Sequence, residues 1–378
     1  MAPIRVGLIG LSAARSGSYK PGEWGQQHLS AIRNSPHFEL VAVCNSTVAS
    51  AEKSIKSNGL PSTVKAYGSP EDIARDPDVE VISVVVNLYR HYDLTKPALE
   101  QGKDVIVEFP FSTTIEHTEE LMALAKSKGV RNVVAAQARA DPAIRKLKEI
   151  VDSKVIGDIV YTSFSGVNTW GTPPQWPDKV KGFLNVDDPI SRVNIILGHA
   201  FDAFVNVVGG FETIQSVFKS HVKSTQTVDS QGNVVDPEFK VTAPEQMLLQ
   251  GVLKNGAAAT FSIRTTATAA DTEDFRWVIT GTGGEVVYTA DAEAGAVFQS
   301  PPPNQRIHLK KPDGKIEDVD FSGRDADYID QSITAGVNVQ RLYDAYARRE
   351  DDALSTIEQT LETEKLILQL KRNAIWAP

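Results

Sequence analysis

The chain has 378 residues, 41% of them hydrophobic, enough for more than one domain with an ordinary buried core. Its 48 acidic against 39 basic residues give a formal net charge of -9, which excludes binding of nucleic acid or anionic lipid by bulk charge. Cys44 is the only cysteine, so an intrachain disulfide, a thiolate zinc cage and an iron–sulfur cluster are excluded, and a reducing compartment fits.

The N-terminus enters a strand pattern by Ile4 without the basic and long apolar stretches of a signal peptide. No apolar run approaches the ~20 residues that span a bilayer, so a cytoplasmic protein with no membrane partner is expected. From Ile4 to about Ile150, apolar runs read as strands over Ile4–Gly10, Leu40–Cys44, Val79–Val86, Asp104–Glu108 and Asn132–Ala136. Helical stretches such as Leu88–Gln101 and Thr114–Lys128 alternate with them. That alternation predicts an α/β domain over residues 1–138, a doubly wound (Rossmann) parallel sheet with helices on both faces.

After Gly157 the texture changes. A strand over Ile159–Val167 leads into a loop rich in proline and tryptophan, Trp170–Phe183, and an apolar helix over Ser191–Val208. Strands then follow without helices between them: Thr213–Lys223, Glu245–Lys254, Ala257–Thr266, Phe275–Thr280 and Gly284–Thr289. This predicts an α+β domain over residues 139–378 with an open, mostly antiparallel sheet. Helices over Asp327–Arg349 and Leu354–Lys371 close the chain and are free to pack back on the first domain.

The turn after the first strand is the place where a pyrophosphate sits against a helix N-terminus. It reads Gly7-Leu-Ile-Gly10-Leu11-Ser12-Ala13-Ala-Arg15. Gly10 makes the tight turn, Ser12 stands for the usual second glycine and Arg15 for the third. The Ser12 hydroxyl and the Arg15 cation can both meet phosphate, although a plain strand–turn–helix has the same pattern. The second strand ends in Cys44-Asn45-Ser46-Thr47, with no carboxylate to repel a 2′-phosphate. This favours NADP(H) over NAD(H); Asn45 and Ser46 can also cap the helix that starts near Thr47, and both roles can hold at once.

Six further segments carry a resemblance. They are Asn87-Leu-Tyr89-Arg-His91, Glu108-Phe109-Pro110, Gln137-Ala-Arg139 with Pro142, Ile156-Gly-Asp-Ile159, His199-Ala-Phe-Asp202 and Ile279-Thr-Gly-Thr-Gly-Gly284. Over nearly its full length the chain resembles the glucose–fructose oxidoreductase, inositol dehydrogenase and MocA family, and within it the fungal galactose-repressor-like branch. The resemblance implies that Asn87, His91, Glu108 and Arg139 lie beside the cofactor. It also implies a homodimer paired through the open face of the second sheet. In active relatives a lysine after the glutamate and a histidine of the second domain surround the reacting carbon, with an aspartate four residues before the histidine. Here Phe109 replaces the lysine and Ile195 the aspartate, whereas His199 is kept.

Hydride transfer at a carbinol needs a proton acceptor at its oxygen, or a donor in reduction. His199 is the candidate, with Asp202 three residues on to orient it, although a histidine on an apolar helix and its aspartate can equally be structural. Trp170, Trp176 and Phe183 are candidate walls of a substrate cleft or core residues of their loop, and Phe109, Tyr89, Tyr92 and Arg139 are further candidates for that cleft. Glu108 meets the cofactor or caps the next helix. His28, His37, His117, His221 and His308 show no ligand spacing, so no metal is assigned.

The expected function is an NADP(H)-dependent oxidoreductase acting on a carbonyl, imine or hydroxyl of a small organic molecule. The alternative is an inactive dinucleotide-binding transcriptional regulator with a protein partner, cytoplasmic or nuclear. Non-redox chemistry in the same pocket is a third, smaller possibility.

Overall fold

The computed structural model describes residues 2–13, 24–169, 171–266, 275–291, 301–332 and 336–377. Arg15 and Trp170 therefore lie outside the described residues. The chain divides into two compact units, residues 1–140 with 325–362, and residues 141–324 with 363–378.

Unit 1 is built from strands and helices in strict alternation. In chain order they are β1 (Ile4–Ile9), α1 (Trp24–Asn34), β2 (Phe38–Cys44), α2 (Val48–Ser57), β3 (Lys65–Tyr67), α3 (Pro70–Arg75) and β4 (Val81–Val84). After them come α4 (His91–Glu100), β5 (Asp104–Glu108), α5 (Ile115–Lys128) and β6 (Asn132–Ala135). The six strands are all parallel in the order β3-β2-β1-β4-β5-β6. Strand order reverses between β1 and β4, and ligands of such sheets bind at the carboxyl ends beside that reversal. The central strands read as continuous apolar runs because both faces are covered: every residue of β4 is buried.

Unit 2 starts with α6 (Pro142–Asp152), β7 (Ile159–Asn168) and β8 (Gln175–Pro177), followed by α7 (Gly198–Val208) and β9 (Phe211–Lys219). Next come β10 (Ser224–Val228), β11 (Val234–Lys240), β12 (Gln246–Leu253) and β13 (Ala258–Thr265). They are followed by β14 (Phe275–Gly281), β15 (Gly284–Ala290), β16 (Arg306–Lys310) and β17 (Ile316–Asp318). The chain closes with α8 (Val337–Arg348), which belongs to unit 1, then α9 (Ile357–Asn373) and β18 (Ile375–Trp376); the division between units falls within α9.

The large sheet of unit 2 runs β17-β16-β15-β14-β7-β13-β12-β9-β18 and is antiparallel except at β7–β13 and β9–β18. Alternation puts Phe164, Phe261 and Trp277 on one face, where they pack on Phe204 of α7. Val160, Tyr161, Val217, Leu248 and Val252 of β7, β9 and β12 are exposed. A second sheet, β11-β10-β8, is small.

The structure corrects several boundaries. The helix expected over Asp327–Arg349 begins only at Val337, because Gly336 before it stands in left-handed backbone with φ +95°. The expected helix Ser191–Val208 is interrupted, with a wider π turn over Val193–Leu197 before α7. The strand expected over Thr213–Lys223 ends at Lys219. Strands β3, β8, β10, β11, β16, β17 and β18 lie outside the expected set, and β11 contains Pro237 and carries no buried residue to betray it. Among the described residues no helix is long and apolar enough to cross a membrane.

Candidate cofactor and reaction sites

The glycine turn is built by exclusion of side chains. Gly10 has φ +102°, and a Cβ there would lie 2.1 Å from the Val85 carbonyl oxygen. Its N–H donates to Cys44 O (3.0 Å), and Val85 N–H donates to Ile9 O (2.9 Å), which ties the ends of β1, β2 and β4 together. Among the described residues the first helix after the turn is α1. α1 begins at Trp24, and Gly25 takes the close-packing role of the fingerprint's last glycine: a Cβ there would stand 2.6 Å from Gly10 O. The only local sign of Gly25 is a glycine at the second position of an apolar-periodic helix. Leu11 is buried, whereas Ser12 and Ala13 are half-buried. The Ser12 carbonyl accepts from Gln26 Nε2 (2.9 Å) and Asn58 Nδ2 (3.1 Å), so the loop's path is fixed from outside.

At the end of β2 the Asn45 amide is committed to the protein. Its Nδ2 faces Leu11 O (2.9 Å), Ser54 Oγ (3.0 Å) and Ser50 O (3.2 Å). Asn45 therefore clamps the glycine turn, and its N–H groups are spent. It does not cap α2 and neither does Ser46. That cap is Thr47, whose Oγ1 accepts from Ser50 N–H (3.1 Å) while Ser50 Oγ accepts from Thr47 N–H (3.3 Å). Ser46 is exposed.

Glu108, the last residue of β5, anchors a buried polar chain. His28 Nε2 donates to its Oε1 (2.7 Å), and Gln137 Nε2 donates to both oxygens (3.1 and 3.2 Å). On the far side of the imidazole, Tyr343 O–H donates to Ser83 Oγ (2.8 Å), and Ser83 Oγ lies 3.3 Å and Tyr343 Oη 3.0 Å from His28 Nδ1. These partners assign the Nε2–H tautomer, because a carboxylate accepts only. Gln137 Oε1 is buried and meets no donor among the described residues, leaving an acceptor beside Glu108. Glu108 does not cap α5, where Thr114 Oγ1 accepts from His117 N–H (3.2 Å). His28, Ser83, Gln137 and Tyr343 were not foreseen as site residues, since the bonds join positions as far as 315 apart in sequence.

His91 lies between two loops, and as a neutral ring it donates to one of them only. Its Nε2 faces Val86 O (3.1 Å), and its Nδ1 faces Pro110 O (3.0 Å) and Phe111 O (3.2 Å). Burial lowers its pKa, although the carbonyls and Glu108 oppose that direction, so the ring is neutral at pH 7. A lowered folded pKa means that the unfolded chain takes up protons first as pH falls. The stabilisation linked to His91 is thus complete above about pH 6.5 and is lost below it, by up to ~1.4 kcal/mol per pH unit, until the folded value is reached. Urea unfolding at pH 7.5 and 5.5 is expected to show a smaller loss in His91→Gln than in the parent.

Asn87 accepts from Tyr89 N–H through its side chain (3.2 Å) and opens the turn before α4. Tyr89 is 47% exposed. Phe109 does not stand open as a cleft wall. It is 5% exposed and belongs to the core cluster of unit 1 with Val107, Phe111 and Leu121, because its position continues β5 inward. Arg139 is also turned inward. Its Nη1 donates to Gln359 Oε1 (2.9 Å) and Leu354 O (3.3 Å), which anchors the segment before α9.

In unit 2, His199 is buried in the first turn of α7, and Asp202 lies one turn on, fully buried. Asp202 Oδ1 accepts from Thr363 Oγ1 of α9 (3.3 Å), a bond that joins two helices. Trp176 stacks on Phe183 with 5.7 Å between centroids and 14° between planes, and its Nε1 donates to Val180 O (3.0 Å).

Residues 4–136 match the model of an oxidoreductase family with an NAD-binding Rossmann fold, and residues 142–290 match that of the Gal80p C-terminal domain. The dehydrogenase aclE of Aspergillus oryzae is 25% identical over 374 residues, 98% of this chain and 96% of that protein. The galactose/lactose metabolism regulatory protein GAL80 of Kluyveromyces lactis is 26% identical over 267 residues, 67% of this chain and 56% of that protein. The chain thus spans less than two thirds of the length of the regulatory relatives it matches. A super-repressor mutant of Gal80p from Saccharomyces cerevisiae has the same fold, with a TM-score of 0.80 at 22% identity, covering 98% of this chain and 96% of that one. Residues 4–136 thus carry a domain of the NAD-binding Rossmann oxidoreductase type, and residues 142–290 a domain of the Gal80p C-terminal type.

Proposed function

We propose that the chain is an NADP(H)-dependent oxidoreductase that acts on a carbonyl, imine or hydroxyl group of a small organic molecule. The observation that carries this reading is the Gly10 turn, which leaves no room for a side chain beside the strand-order reversal of unit 1. Backbone of Gly10–Ala13 would hold the pyrophosphate. Asn87, Glu108 and Gln137, whose Oε1 meets no donor among the described residues, follow the neighbouring strands on the side of the nicotinamide half. When bound, the nicotinamide supplies or accepts a hydride. The preference for the phosphorylated cofactor rests on the absence of a carboxylate after β2, where Ser46 is exposed.

His199 would exchange the proton at the substrate oxygen, with Asp202 fixing the helix that carries it. Phe109 cannot move a proton, so a reduction of an already activated acceptor suits this residue set better than oxidation of a free sugar. Calorimetric titration with NADPH and NADH, followed by cofactor oxidation with aldehydes, ketones and imines, tests the reading. His199→Ala is expected to abolish turnover while cofactor affinity holds.

A second reading is favoured by the Gal80p-type domain: a dinucleotide-binding regulator with a protein partner. Tight cofactor binding without turnover on any acceptor, together with capture of a transcriptional activator, would replace the first reading by this one.

The exposed face of the large sheet is the proposed homodimer surface. Leu248 is 50% and Val252 42% exposed on one face of β12, either side of Gln250, and Val217 of β9 pairs with Leu248, a surface that a second copy would cover. Light scattering is expected to find a dimer, and a monomer after Leu248→Glu with Val252→Glu. A monomeric parent would sink this assembly.

A further inference from the structure

Arg192 precedes the π turn in unit 2, and its side chain is 0% exposed. Its Nη2 donates to Thr172 Oγ1 (2.9 Å). Its Nε and Nη1 are buried and meet no acceptor among the described residues. Glu245 Oε1 lies 3.9 Å from Nη1, beyond hydrogen-bond reach. The other Glu245 oxygen already accepts from the backbone N–H groups of His221 (3.1 Å) and Val222 (3.2 Å). On its remaining side the guanidinium carbon is 5.7 Å from the centre of the Phe183 ring, which stacks on Trp176.

A buried cation of this kind is under-compensated. Burial lowers the Arg192 pKa, and Glu245 opposes that shift without cancelling it. A water molecule would meet the N–H groups but not the charge, whereas a carboxylate meets both and matches the planar donor set of arginine. Thr172, Trp176 and Phe183, the residues that touch the guanidinium or stack beside it, are each partly exposed.

We propose that Arg192 and Thr172 form a carboxylate-binding subsite in unit 2, which takes a small organic acid whose hydrocarbon part lies against Phe183 and Trp176. The oxidoreductase reading makes that acid the substrate, and only this last identification rests on it. The subsite itself is a binding property and needs no turnover.

The test is calorimetric titration of the full chain with benzoate, hexanoate and pyruvate against benzamide and hexanol. Tryptophan fluorescence runs in parallel, with Trp176→Phe assigning the signal. Carboxylates are expected to saturate and to bind at least about tenfold more tightly than their neutral counterparts. Arg192→Lys is expected to lose that margin, because an ammonium cannot present the planar donor set. Thr172→Val leaves the cation in place and is expected to weaken benzoate severalfold with unchanged unfolding. This keeps the test valid if the arginine variant fails to fold. Equal binding of benzoate and benzamide, or full benzoate affinity in both variants, overturns the subsite. So does the absence of any saturable carboxylate binding while NADPH still binds, an outcome that leaves the oxidoreductase reading intact. Carboxylate binding without cofactor binding does the reverse.

Discussion

Glu108→Ala is expected to destabilise unit 1 by about 3 kcal/mol in urea unfolding followed by Trp24 fluorescence. The carboxylate accepts three hydrogen bonds in a site where His28 is 0% and Glu108 side chain 8% exposed. Alanine leaves the His28 N–H and the Gln137 amide buried without an acceptor, and an orphaned buried donor costs far more than a formed bond contributes. Glu108→Gln is expected to cost only about 1 kcal/mol. Its oxygen still accepts from His28, and Gln137 can turn its amide to offer Oε1, which has no donor among the described residues. The two variants therefore separate shape from charge. If both lose the same stability, the network is held by the negative charge and not by its bonds. Tyr343→Phe, two bonds away, is expected to cost about 1 kcal/mol through the loss of its bond to Ser83.

That network marks where reading the sequence stops. The parallel sheet of unit 1 was legible because a strand buried on both faces must be apolar throughout, and β5 ends at Glu108 as its pattern predicts. The open sheet of unit 2 was legible for the complementary reason: β12 and β13 alternate because one face is buried, with Phe261 of β13 against Phe204 of α7. The partners of Glu108 were not legible. His28 sits on the buried face of an ordinary amphipathic helix, and Tyr343 enters from a helix 315 residues away. Local periodicity says that both are inside and nothing about what they touch. Asn45, Phe109 and Arg139 show the same limit from the other side. Asn45 and Phe109 follow β2 and β5 as the pattern predicts and Arg139 lies in the segment that opens the next helix, yet their side chains turn to the protein: Asn45 to Leu11, Phe109 to the core, Arg139 to Gln359. Position along a strand follows from sequence. The direction of a side chain at its end depends on loops that the strand pattern does not encode.

Gly10→Ala is the sharpest test of the cofactor turn. The added methyl carbon would meet the Val85 carbonyl oxygen at 2.1 Å and Val86 Cγ1 at 2.6 Å, in backbone with φ +102°. A flexible side chain could yield, but the first obstacle is backbone, held by the bond from Val85 N–H to Ile9 O. Relief therefore requires β1 and β4 to part at the strand-order reversal. The expected cost is at least about 2 kcal/mol of stability, from the left-handed backbone and the clash together. NADPH affinity is expected to fall by more than about tenfold, because the phosphate-binding backbone moves with the strand ends. Ser12→Gly is the control. It restores the glycine of the usual fingerprint, while Gln26 and Asn58 still hold the residue-12 carbonyl. Its affinity is expected to stay within about threefold of the parent, since a small hydroxyl already leaves the phosphate room. Unchanged NADPH binding in Gly10→Ala would remove the dinucleotide from this turn, and with it the observation on which the proposed chemistry stands.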